Sequence, residues 1–196
     1  SNELLAGRPR ESLFDAGHRS RPCLGGTSTM IYNTGSRRLE HHHLSLAGTM
    51  RNCAGGQTPW HSWISCEETP QRFGDTFEQN HGFNFEVPAA ERGLATPTPL
   101  KAMGRFVHEA VAVDPTTGIV YETEDRSDSL FYRFIPQRKG ALQAGGRLQA
   151  LVPRDAKSLD TRNWEAQNIQ PGTAFPVRWI DIKNVQAPDD DLRFQG

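Results

Sequence analysis

The sequence lacks several features that mark well-known classes of protein. It has no run of 18 apolar residues, so no membrane-spanning helix is expected. Its 22 basic and 23 acidic side chains leave a formal net charge of −1, without the positive excess that binds nucleic acid or anionic membranes. Three cysteines, an odd number, argue against a disulfide framework. Helical periodicity is weak everywhere, so the 196 residues favour a loop-rich β protein of ordinary domain size.

Short apolar or alternating segments, separated by turn residues, supply the secondary structure. The clearest hairpin surrounds residues 114–118, where proline fixes φ and glycine supplies a positive φ at the end of the turn. About eight short strands are predicted, which is typical of a sandwich, barrel or propeller. They are expected at 27–33, 38–46, 60–66, 82–87, 109–113, 119–123, 129–135 and 147–152, with one more candidate at 177–182.

Residues 48–69 carry the densest set of chemically reactive side chains. The first part, 48–59, is rich in glycine and proline and is predicted to be a loop, whereas the aromatic part that follows is predicted to be a strand. Cys53 offers a soft thiolate, and Glu67 and Glu68 offer the carboxylates that suit harder cations. Adjacent residues of a strand point to opposite faces, so at most one of the two glutamates would reach a common metal. The alternative is that Cys53 is an inert loop thiol.

Six motifs in a fixed order resemble the PhoX-type alkaline phosphatases. The resemblance covers roughly residues 24–151, and several long motifs in one order are more specific than a single short one. The motifs are GGTSTMIYN at 25–33, SLAGT at 45–49, RNCAGGQTPWHSWISCEE at 51–68, HGFNFEV at 81–87, PLKAMGRFVHEAVAVDPTTGIVYETEDRSDSLFYRFIP at 99–136 and GGRLQAL at 145–151.

This resemblance implies a β-propeller, six-bladed in the family, of which the chain would supply about two blades. We expect an irregular lead-in at 1–24, propeller blades at 25–152 and a loop-rich, truncated continuation at 153–196. In the family an Asn-His-Glu motif comes earlier and Arg-x-Glu and Asp-Asn motifs come later; here no Asn-His-Glu precedes residue 25, and no Arg-x-Glu or Asp-Asn follows residue 151. The chain is therefore expected to be a central portion with little activity alone, and its exposed strand edges could support self-association.

The resemblance also implies the chemistry of the site. Family members cleave phosphate monoesters with iron and calcium. Cys53 matches the cysteine that ligates iron, and Glu109 matches a metal-binding carboxylate. One of Glu67 and Glu68 is expected to contact the metals, and Asn52 is a candidate polar contact beside them. No catalytic residue is assigned, and the expected partner is a small phosphate ester.

Other polar residues of the motifs leave two interpretations open. Glu124, Asp125 and Arg126 follow a predicted strand, where they could bind calcium or phosphate, or could form a salt-bridged strand end. His108 could orient Glu109 through a hydrogen bond, or could be a packed histidine.

Several aromatic side chains are expected to be structural. His41 and His43 share one face of a predicted strand, where a solvated face is favoured over a metal site. Trp60 and Trp63 are predicted to be core aromatics, and His81 is predicted to be structural at a strand start.

Two competing functions have to be kept beside the phosphatase. One is another propeller metal hydrolase, such as a lactonase or a phosphotriesterase-like enzyme, which would need calcium alone. The other is a binding module without catalysis. The family resemblance implies a periplasmic or secreted location, although no signal peptide is recognisable in the sequence.

Overall fold

The computed structural model describes residues 23–74, 77–156, 159–187 and 191–196. These residues form ten strands and no α-helix, so the all-β prediction is confirmed. The strands are β1 (Gly25–Asn33), β2 (Arg38–Thr49), β3 (Asn52–Gln57), β4 (Ser62–Glu67), β5 (Asn84–Pro88), β6 (His108–Val113), β7 (Val120–Glu124), β8 (Phe131–Pro136), β9 (Gly146–Pro153) and β10 (Val177–Asp181). Short 3₁₀ helices occupy Lys101–Met103, Leu142–Ala144 and Asp191–Gln195.

The first two strands form an isolated antiparallel hairpin, as their sequences predict. In its turn, the side-chain oxygen of Asn33 accepts a hydrogen bond from the backbone N–H of Ser36 at 2.9 Å. Asn33 also donates to Glu40 at 2.7 Å, which joins the two strands beside the turn. His41 and His43 lie on one side of β2, with ring centroids 4.8 Å apart.

A three-stranded antiparallel sheet has the order β3-β4-β5. The prediction of a loop over 48–59 is wrong for β3, which pairs with β4 despite two glycines. A Cβ on Gly56 would lie 2.1 Å from the carbonyl oxygen of Val111 in β6. The glycines therefore mark a strand where another backbone passes at close range, a pattern that local sequence does not separate from a loop.

A five-stranded antiparallel sheet has the order β10-β9-β8-β7-β6. The predicted hairpin turn is present between β6 and β7, where Asp114 accepts hydrogen bonds from the backbone N–H of Thr116 and the hydroxyl of Thr117. Gly118 ends that turn at φ 77°, the left-handed conformation that glycine tolerates. β10 comes from the C-terminal segment and pairs along β9.

The main apolar core packs the five-stranded sheet against β4. Tyr132 and Phe106 stack with ring centroids 4.5 Å apart at its centre. Arg105 is also fully buried there, and its guanidinium donates to the carbonyl of Ala187 at 2.8 Å. A second, smaller core contains Leu46, Phe83, Phe85, Val87 and Ala95. The alternation of residues 83, 85 and 87 predicted this face.

One aromatic prediction needs correction, and most of the predicted lead-in falls outside the described residues. Trp60 packs against the core, but Trp63 is 45% exposed because it occupies the outer face of β4. Residues 1–22 of the lead-in are among those that the structure does not describe. Within the described parts, no helix is long and apolar enough to cross a membrane.

Candidate metal centre

Three potential metal ligands meet where β3, the end of β4 and β6 converge. One donor atom each from Cys53, Glu68 and Glu109 lies within 4.8 Å of the other two. The sulfur of Cys53 is 3.6 Å and 3.7 Å from the two carboxylate oxygens of Glu109. We call these residues the Cys53–Glu68–Glu109 cluster. They are 15 to 56 positions apart in the sequence, so only the tertiary structure can bring them together.

Irregularities in two strands orient the thiol and one carboxylate. The register of β3 on β4 shifts between Asn52 and Gly55, so that Cys53 and Ala54 both lie opposite Cys66. A similar shift between His108 and Val111 places Glu109 in the irregular part of β6. β-Bulges of this kind redirect side chains and are common next to functional sites.

The third ligand leaves the end of β4. Glu68 follows the last residue of that strand, and its backbone N–H donates to the carbonyl of Arg51 at 3.0 Å. The guanidinium of Arg51 also contacts the Glu68 carboxylate at 3.0 Å and is 59% exposed at the rim of the cluster. Arg51 was not singled out from the sequence; the signal available was its position two residues before Cys53.

The negative charge in the cluster is poorly compensated by protein groups alone. Partial desolvation and a hydrogen bond with Asp125 raise the pKa of Glu68, against the lowering effect of Arg51. Partial desolvation also raises the pKa of the Cys53 thiol, and Glu68 and Glu109 add to that effect. Raised pKa values in adjacent acidic groups are a physical sign of a site that a cation would stabilise.

The donor set fits a metal ion. With metal–sulfur and metal–oxygen bonds of about 2.3 and 2.1 Å, tetrahedral ligand atoms are about 3.6 Å apart. The separations between the Cys53 sulfur and the Glu109 oxygens are of that size. A thiolate beside carboxylates combines a soft ligand with hard ones, which suits a transition metal together with, or in place of, calcium.

Glu67 faces away from the cluster, as the alternation of strand residues predicts. It is fully buried, and its carboxylate accepts hydrogen bonds from the backbone N–H groups of Met50, Gly82 and Phe83 at 2.9, 2.7 and 3.2 Å. His81 Nδ1 lies 2.7 Å from the same carboxylate. The candidate ligand of the Glu67-Glu68 pair is therefore Glu68, and His81 is buried three residues before β5.

Asn52 and His108 are also directed away from the cluster. Asn52 donates to Ser65 at 2.8 Å and accepts from Thr49 at 2.5 Å, so both ends of its amide serve local structure. His108 is buried and stacks on Phe106 with ring centroids 3.6 Å apart. Its Nδ1 lies 3.3 Å from the buried carboxylate of Glu122, and Nε2 is 3.2 Å from the carbonyl of Gly104. The packed-histidine interpretation fits this geometry.

The three charged residues after β7 lie in different environments. Glu124 is buried and accepts a hydrogen bond from the hydroxyl of Tyr132 at 3.1 Å, with Arg193 Nε 3.8 Å away. Asp125 extends to the cluster through its hydrogen bond with Glu68. Arg126 is exposed, and its backbone N–H donates to the carbonyl of Glu124. Of the three, Asp125 is the residue that the fold brings to the candidate ligands.

Taken together, the fold and this site define an all-β protein with a mixed thiol and carboxylate cluster. The chain belongs to the alkaline phosphatase PhoX family, whose family model matches residues 16–194.

Comparison with solved structures found similarity to Pseudomonas fluorescens PhoX in complex with vanadate, a transition state analogue. The identity is 21% and the TM-score is 0.43, and the match covers 70% of this chain and 33% of that one. A search of curated proteins found no match.

Proposed function

We propose that this chain supplies part of the metal site of an enzyme that hydrolyses phosphate monoesters. The observation that carries the proposal is the convergence of Cys53, Glu68 and Glu109, with donor atoms within 4.8 Å of one another, in a member of an alkaline phosphatase family. The chain spans about a third of the solved PhoX chain that it resembles, so the activity is proposed for the whole protein.

The proposed ligands divide by chemical type. Cys53 would hold iron through its thiolate, and the carboxylates of Glu68 and Glu109 would hold calcium. Bound cations would neutralise the phosphate and stabilise the charge that develops in the transition state.

Protein groups beside the ligands have defined tasks in this proposal. The guanidinium of Arg51 lies at the exposed rim, where it could pair with a phosphate oxygen once the cation takes over the charge of Glu68. Asp125 shares a hydrogen bond with Glu68 in the metal-free site, and its carboxylate, once ionised, would add negative charge that attracts a cation. Both tasks use geometry that exists before any ligand binds.

Elemental analysis and a phosphatase assay of the full-length protein test the proposal together. Iron with calcium, and turnover of a chromogenic phosphate monoester that is lost on chelation, would support it. Calcium alone with activity on a lactone or a phosphotriester would replace it with the other metal hydrolase. A metal-free, inactive full-length protein would favour a binding module.

The family membership also motivates two proposals about context. The three antiparallel sheets are proposed to belong to propeller blades, and their edges to be the sites of any self-association. A periplasmic or secreted location is proposed for the whole protein. Cell fractionation and light scattering, respectively, would test location and association.

A further inference from the structure

A second group of reactive side chains lies on the other side of β4 from the metal-ligand candidates. The sulfur of Cys23 is 3.1 Å from Nε2 of His81, and Nδ1 of His81 is 2.7 Å from the carboxylate of Glu67. A thiol, an imidazole and a carboxylate thus form one continuous hydrogen-bonded chain. None of the three belongs to the Cys53–Glu68–Glu109 cluster.

The imidazole is held firmly in this chain. His81 and Glu67 are both fully buried, and the three backbone N–H groups that donate to Glu67 fix the position of its carboxylate. The backbone N–H of His81 donates to the carbonyl of Gln71 at 2.7 Å, and Phe77 contacts the ring edge-on. An acid that orients a histidine, which in turn contacts a nucleophile, is the arrangement by which proteins activate thiols.

The other two cysteines have surroundings of the opposite kind. Cys53 faces carboxylates, and desolvation together with those carboxylates raises the pKa of its thiol. Cys66 is completely buried, and burial raises the pKa of its thiol as well. Cys23 is partly exposed in the described structure, unlike the buried Cys66. It is the cysteine whose sulfur contacts a histidine within the part of the chain that the structure describes.

We propose that Cys23 is a nucleophilic modification site that forms mixed disulfides with low-molecular-weight disulfides. His81 accepts the thiol proton, and the Cys23 sulfur attacks one sulfur of the reagent. The new S–S bond forms as the reagent's own S–S bond breaks. The leaving thiolate takes the electron pair and then the proton from His81, so the step consumes one disulfide and releases one thiol. Glu67 holds the imidazole in position through its contact with Nδ1.

The test uses glutathione disulfide as the probe on the full-length protein, with peptide mass mapping to locate the adduct. Cys23 is expected to react at least tenfold faster than the same cysteine in a short synthetic peptide of the surrounding sequence at the same pH. Unfolding the protein in urea should remove that excess. A rate equal to that of the peptide, or faster modification of Cys53 than of Cys23, would overturn the proposal.

Variants then assign the partners. His81→Gln and Glu67→Gln should each lower the rate at Cys23 at least fivefold, whereas His42→Gln, at an exposed histidine far from the thiol, should leave it unchanged. If the buried substitutions prevent folding, the comparison of folded and urea-unfolded wild type still decides the matter. Folded variants with an undiminished rate would contradict the role of the imidazole and its carboxylate.

Discussion

At the scale of single residues, adjacent side chains with the same chemistry have different tasks. Glu67 lies in a buried cage of backbone N–H groups and the His81 ring. Glu68, the next residue, reaches the surface beside Cys53 and Arg51. Alternation along a strand explains the separation, since one glutamate must face inward when the other faces out. Substitutions at the two positions should therefore have separable effects.

Glu68→Gln should lower metal affinity at least tenfold while changing the free energy of unfolding by less than about 1 kcal/mol, because the lost ion pair with Arg51 is partly exposed. Glu67→Gln should leave metal affinity nearly unchanged and lower the free energy of unfolding by about 3 kcal/mol, because it alters a buried carboxylate that accepts several hydrogen bonds. Metal titration and urea denaturation measure the two effects. Loss of metal affinity in a folded Glu67→Gln variant, with Glu68→Gln unaffected, would reverse the assignment.

Cys53→Ala should abolish iron binding and reduce phosphatase activity of the full-length protein by several orders of magnitude, because the soft ligand is removed. Folding should be unaffected, since Cys53 is exposed. Ala54→Ser, at the next exposed position of β3, is the matched control and should keep both metal and activity. Normal iron content and turnover in Cys53→Ala would refute the assignment.

Glu109→Gln keeps the size and hydrogen-bonding capacity of the side chain and removes its charge. It should weaken metal binding and activity at least tenfold with little change in thermal stability, because Glu109 is only partly buried and its contact is the Cys53 sulfur. The measurement is metal content per folded molecule beside a thermal melt. A large fall in stability with unchanged metal content would show that Glu109 is structural.

At the scale of elements, the close passage of β3 and β6 brings the cluster together. These strands belong to different sheets, and Gly56 has no side chain to hold Val111 away. The same passage brings the carboxylate of Glu109, on β6, to the sulfur of Cys53, on β3. Gly56 therefore contributes to the site because it lets the backbones of β3 and β6 approach closely, and not because it makes a loop flexible.

Gly56→Ala should destabilise the fold by about 2 kcal/mol or more, because the new Cβ would meet the Val111 carbonyl oxygen at 2.1 Å. It should also lower metal affinity by separating Cys53 from Glu109. Gly93→Ala is the matched control, since nothing lies within 4 Å of a Cβ at that position. Thermal melts and metal titrations of both variants provide the measurement. Equal stability in the two variants would show that β3 and β6 are free to move apart.

At the scale of the whole molecule, a cation in the cluster would connect the three-stranded sheet to the five-stranded sheet. Cys53 and Glu68 belong to the first sheet and its end, and Glu109 belongs to the second. A metal that binds the folded state but not the unfolded state raises the free energy of unfolding, and the increase grows with the logarithm of the ratio of metal concentration to dissociation constant. Metal content and global stability should therefore be linked in this protein.

The stabilisation by metal should increase with pH. The pKa of Glu68 in the fold is raised above its ordinary value of 4.5. Its protonated form therefore stabilises the metal-free fold fully below about pH 4.5, and that stabilisation is lost as Glu68 ionises at higher pH. A cation reverses this loss because it binds the ionised forms of Glu68 and Cys53. Thermal melts with and without added metal should show a larger difference at pH 8 than at pH 5.5. In the Cys53→Ala/Glu109→Gln double variant, added metal should change the melting temperature little at either pH. A wild-type protein stabilised by metal to the same extent at pH 5.5 and pH 8 would contradict the linkage.

The sequence by itself determined the local features of this protein. Turn residues and alternation predicted the hairpins around residues 34–37 and 114–118, the apolar face of β5 and the opposite directions of Glu67 and Glu68. The order of motifs predicted the family, because long motifs in a fixed order carry more information than composition.

The tertiary structure alone decided which reactive residues meet. β3 is a strand because its backbone pairs with β4 and passes close to β6, and both contacts depend on partners far along the chain. The same distant contacts turn Asn52 and His108 inward, bring Asp125 and Arg51 to the cluster, and place Cys23 against His81. Local sequence encodes the backbone conformation and the side of a strand to which each side chain points. The packing of one sheet on another fixes the distances between side chains, and the chemistry depends on those distances.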